Sequence, residues 1–101
     1  MTSVHDLPMF DAAEYLDTED AIAAYLGAVV EEDISMLPGA LGVVARARGM
    51  SALARDTGLA RESLYRALSQ DGNPTLSTLN KVLSAYGVEI VLKPAGKLVN
   101  A

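Results

Sequence analysis

Arg61, Tyr65 and Arg66 stand close together in the stretch GLARESLYRALSQDGNPTLSTLNKVL, residues 58–83. On a helix, residues 61 and 65 are one turn apart and lie side by side, with Arg66 next to them. Glu62 and Ser63 share the outward side, while Leu64 and Leu68 fall on the inward one. Guanidinium groups read guanine edges bidentately or hold phosphate oxygens, and tyrosine and serine hydroxyls also hold phosphates. This is the chemistry of a surface laid on a nucleic-acid backbone. The same residues have an ordinary use as solvated charges, with Tyr65 packed over its neighbours. The overall charge sharpens the question, because the chain has 13 acidic against 8 basic residues and a formal charge of −5.

The charge is divided along the chain. Residues 1–45 hold nine carboxylates and no Lys or Arg, giving −9, whereas residues 46–101 hold eight bases and four acids, giving +4. An acidic half joined to a basic half suggests two partners of opposite sign. The plainer alternative is that the acids cap and solvate the first helix.

The elements that must position these groups are short helices. A length of 101 residues makes one small domain, with a core so modest that a partner is often needed. Residues 1–16 read as a loosely ordered arm with at most one turn. Asp17 or Thr18 caps a helix over about 18–32, with Glu19 and Asp20 in its first turn and Ile22, Tyr25, Leu26, Val29 and Val30 as its apolar stripe. A second helix starts near Ser35, since Pro38 is tolerated only in a first turn. It runs to about Arg48, buries Leu37, Leu41, Val44 and Ala45, and stops at Gly49. There Arg46 and Arg48 either complement the helix end or hold phosphate. Ser51 caps a third helix that ends at Gly58, and Leu59–Ser69 supplies the fourth. The Gly-Asn-Pro turn and a Thr75 cap lead into a fifth, burying Leu76, Leu79, Val82, Leu83 and Tyr86. Past Gly87, VEIVLK alternates Val88, Ile90 and Leu92 with Glu89, Val91 and Lys93 and reads as one strand. Residues 94–101 read as a flexible tail. The expected fold is therefore mainly α, five helices with one short C-terminal β-strand.

Catalysis has little support. There is no cysteine, a single histidine (His5) in the arm, no Gly-rich phosphate loop and no metal-ligand spacing. No enzyme activity, cofactor or metal is expected. No apolar run reaches the roughly 20 residues needed to span a bilayer, and nothing resembles an export signal, so the expected location is the cytoplasm. A short helix, a Gly-containing turn and a second helix form instead the helix-turn-helix unit, whose second helix enters the major groove of double-stranded DNA.

From about Phe10 to Lys93 the chain resembles the addiction-module antidote family, HigA-type antitoxins with a Cro/repressor-like helix-turn-helix. The segments that carry the likeness are FDAAEYLDTEDAIAAYL, ARARGMSALARDTGLARESLYRALSQDGNPTLSTLNKVLSAYG and the trailing strand. The resemblance implies an antitoxin that neutralises a RelE/ParE-like toxin and represses its own operon. The residues expected to face operator DNA are Ser51, Arg55, Ala60, Arg61, Glu62, Ser63, Tyr65 and Arg66. The family usually has Gln where Ala52 stands and Ser, a helix cap, where Ala60 stands. Losing such a cap costs about 1 kcal/mol.

The toxin is expected to meet the acidic half, through Phe10, Tyr15 and Leu16 as exposed apolar residues and through Glu19 and Asp20. The strand has no partner in its own chain, and an open edge invites pairing with another. Val88, Ile90 and Leu92 of two copies are expected to form a homodimer interface, with the toxin's sheet as the rival partner. Two further readings are a stand-alone prophage-type repressor without a toxin and a protein-interaction module with a vestigial helix-turn-helix.

Overall fold

The computed structural model describes residues 15–95. Among them are five α-helices: α1 (Glu19–Glu32), α2 (Leu37–Arg48), α3 (Met50–Thr57), α4 (Arg61–Ala67) and α5 (Leu76–Ala85). A 3-10 turn, Ile34–Met36, joins α1 to α2. Most of the expected arm, Phe10 included, and most of the expected tail lie outside the described residues.

Helix starts follow local chemistry. Thr18 caps α1, its Oγ1 accepting the Ala21 N–H at 3.0 Å, and Thr75 caps α5 by accepting the Thr78 N–H at 3.1 Å. Ser35 does not open α2. Asp33 instead caps the 3-10 turn, its carboxylate accepting the Ser35 hydroxyl at 2.8 Å and the Ser35 N–H at 3.0 Å. Those two bonds, the hydroxyl first, hold the Asp33 carboxyl below its ordinary value. The turn delays α2 to Leu37, with Pro38 in its opening turn. Ser51 likewise lies inside α3 rather than capping it, because Gly49, at φ 106, lets the chain turn directly into Met50.

The core gathers around α3, which packs against α2, α4 and α5, while α1 covers α2. Ile22 and Leu26 of α1, Leu41 and Val44 of α2, Leu53 of α3, Leu64 and Leu68 at α4, and Val82 and Leu83 of α5 are all buried together. Gly42 lets α2 approach the end of α4: a Cβ there would collide with the Leu68 carbonyl oxygen. Leu76, expected inside, is 74% exposed, because it sits at the outer end of the α5 stripe, beside the cap.

Two further expectations are corrected. Leu16 is not an exposed residue of a loose arm; it is 1% exposed and part of the core. Arg48 Nη1 donates to the Asp17 carbonyl at 3.1 Å, tying the residues that precede α1 to the end of α2. The C-terminal strand is not found among the described residues: residues 88–95 follow no regular element. The chain leaves α5 through Gly87, at φ 74, and a Val88 N–H to Leu83 carbonyl bond of 2.9 Å. Beyond that, no second strand among the described residues takes up the segment's backbone groups.

Candidate nucleic-acid interface

The junction between α3 and α4 is stitched by one residue. Thr57 Oγ1 donates to the Leu53 carbonyl at 2.8 Å and accepts the Leu59 N–H at 3.3 Å. Gly58, in the left-handed conformation at φ 75, reverses the chain between them. Ala60 is extended and α4 begins at Arg61 with no side-chain cap. Because Leu64 and Leu68 are buried, the opposite side of α4 must face out. Arg61, Glu62, Ser63, Tyr65 and Arg66 are all exposed there, as are Ser51 and Arg55, one turn apart on α3, and Ala60.

Tyr65 is the centre of this surface. The Arg61 guanidinium carbon lies 5.7 Å from its ring centroid, and Arg61 Nη2 donates to the Tyr65 hydroxyl at 3.5 Å. Arg46, from the last turn of α2, is also 5.7 Å from the centroid. Each such cation–π contact contributes about 0.5–1 kcal/mol at an exposed site. Tyr65 therefore packs over neighbours, but its neighbours are two cations, and it stays 40% exposed. Arg46 thereby joins the surface, where the second of its two expected uses, holding phosphate, would place it. Its counterpart Arg48 is turned away to Asp17.

Beside Arg66 a shallow cleft of ≈ 550 Å³ separates α4 from the start of α5. Ser63, Ser69, Asn73, Thr75 and Thr78 line it with hydroxyl and amide groups, together with the carboxylate of Asp71. Neutral donors next to a guanidinium suit a phosphate oxygen. No cluster of three possible metal ligands occurs among the described residues, and no helix among them is long and apolar enough to cross a membrane.

The other expected contacts are scattered. Tyr15, Glu19 and Asp20 are exposed, Leu16 is in the core, and Phe10 lies outside the described residues. Val88 is half-buried against the core, whereas Ile90 and Leu92 are 55% and 91% exposed.

The family model described as "Probable addiction module antidote protein" matches residues 6–94. An uncharacterized protein of Haemophilus influenzae is 49% identical over 81 residues, which span 79% of this chain and 84% of the relative. No solved structure matches the chain.

Proposed function

The chain belongs to the family of probable addiction module antidote proteins, and from that membership we propose an antitoxin that also represses its own operon. The antidote role carries with it a toxin partner. In this reading the partner is a small basic toxin of RelE/ParE type, held by binding rather than by any catalysed step, in the cytoplasm. The α3–turn–α4 unit is a helix-turn-helix, with α4 as the recognition helix in the major groove.

The observation that carries the DNA half is the group around Tyr65. Arg46, Arg61 and Tyr65 hold one another in place on an exposed face, with Arg66 and a cleft of polar groups beside them. A surface organised before binding loses less side-chain entropy on contact. Two copies related by a two-fold axis would set two α4 helices about one DNA turn apart and read a palindromic operator.

A mobility-shift titration with the DNA upstream of the gene tests this directly. The expected result is a shift that weakens steeply with salt, since phosphate contacts release counterions. A chain that shifts no upstream fragment even at low salt is not an autorepressor.

A further inference from the structure

Between α1 and the segment after α5 lies an open groove of ≈ 300 Å³. Ala23, Leu26, Gly27 and Val30 of α1 form one wall, Leu83 and residues 88–91 the other, and the exposed Ile34 stands at the edge. The rim is acidic. Glu89 lines the groove, the Glu19 side chain lies against Gly87 at its entrance, and Glu31 is one turn beyond Gly27 on α1. Residues 15–45 contain no Lys or Arg to neutralise these groups. Glu31 and Glu32 moreover occupy the last turn of α1, where the helix dipole is already negative.

Gly27 sets this groove apart from ordinary surface. Glycine in mid-helix lowers helix stability relative to alanine, and Gly27 needs no left-handed backbone, unlike Gly49, Gly58 and Gly87. A Cβ at Gly27 would meet nothing within 4 Å, so no packing among the described residues requires the missing side chain. A partner lying across α1 would require it, to bring its own side chains down to the helix backbone.

We propose that this groove is the toxin-docking site. It accepts a segment whose apolar side chains fill the space between α1 and residues 88–91 and whose Lys or Arg residues meet Glu19, Glu31 and Glu89. The inference rests on the antitoxin reading. Charge selects this occupant over the alternatives. A second copy would bring the same acidic rim, and residues 1–14 carry Asp6, Asp11 and Glu14 with no Lys or Arg. Each of these meets like charge, whereas a basic segment meets opposite charge.

The test co-purifies the full-length chain with the product of the toxin gene adjacent to its own, then measures affinity at low and high salt. Gly27→Leu fills the groove from a position with room for a side chain, Gly27→Ala fills it little, and Glu31→Lys with Glu89→Lys reverses the rim. Thermal melting checks that Gly27→Leu is folded. Expected is a loss of at least about tenfold for Gly27→Leu and for the charge reversal, the size of a central interface contact. A smaller loss for Gly27→Ala and unchanged operator binding for both Gly27 variants complete the expected pattern. If the wild type binds and folded Gly27→Leu binds equally well, the groove is not the site, and the antitoxin reading stands without it. If Gly27→Leu leaves toxin affinity intact but lowers the solution mass of the free chain, the groove belongs to a second copy and the proposal fails. A wild type that does not bind overturns the antitoxin reading and this site with it.

Discussion

At Tyr65 two guanidiniums from different helices converge on one ring, so removing any of the three disturbs more than its own contact. On the proposed reading, Arg61→Ala or Arg66→Ala weakens operator binding. A lost base contact costs about 1–3 kcal/mol and relaxes specificity, whereas a lost phosphate contact weakens all sequences alike. Anisotropy titrations against the operator and a scrambled duplex separate the two, and unchanged affinity in both mutants removes α4 as the recognition helix. Tyr86 offers a prediction independent of function. Its hydroxyl is buried without a hydrogen-bond partner, and burial, with Asp56 adding to it against an opposing Arg48, pushes its pKa up to about 12. The unfolded chain releases this proton near the ordinary value of 10.0, so folding stability is complete below that pH and falls as pH rises from there toward 12. Tyr25, raised by burial as well, acts in the same direction. Tyr86→Phe should flatten much of that alkaline slope. At neutral pH it should leave stability unchanged or raise it by up to about 1 kcal/mol, since an unsatisfied buried hydroxyl is a cost. Melting curves between pH 8 and pH 11 check both.

Two helical glycines make opposite predictions at the scale of elements. Gly42→Ala drives a methyl into the Leu68 carbonyl and should destabilise by about 1–3 kcal/mol as α2 is pushed off the end of α4. Gly27→Ala places its methyl in open space and should stabilise α1 by about 0.5–1 kcal/mol. Denaturant midpoints of the two variants should move in opposite directions. The helices themselves were legible because their signals are local: Thr18 and Thr75 as caps, Gly58 as a left-handed stop, Ile22 with Leu26 and Val82 with Leu83 as inward faces. What escaped depends on contacts far apart in the chain. Leu16 looks like an arm residue until Arg48 is seen holding Asp17 from 31 positions away. Arg46 looks like a helix-end charge until α2 is packed so that it reaches Tyr65. The alternation in VEIVLK reads as a strand, yet pairing is a property of two segments, and no second strand stands beside it among the described residues.

For the whole molecule, the −9 of residues 1–45 and the +4 of residues 46–101 act on DNA with opposite sign. Glu31→Gln with Glu32→Gln, on α1 and outside the proposed DNA face, should speed operator association at low salt by easing that repulsion. Stopped-flow rates should show the gain vanish near 1 M salt, where the Debye length is about 3 Å. The same molecule is fastened just before α1. The bond from Arg48 to the Asp17 carbonyl and the burial of Leu16 place a core side chain only two residues before the Thr18 cap. A chain begun at Thr18 loses a buried leucine and its tether, a deficit of about 2–5 kcal/mol if measured by the cavity alone. The junction before α1 is therefore a clasp of the fold: Leu16 closes the core, and Arg48 of α2 holds the backbone beside it.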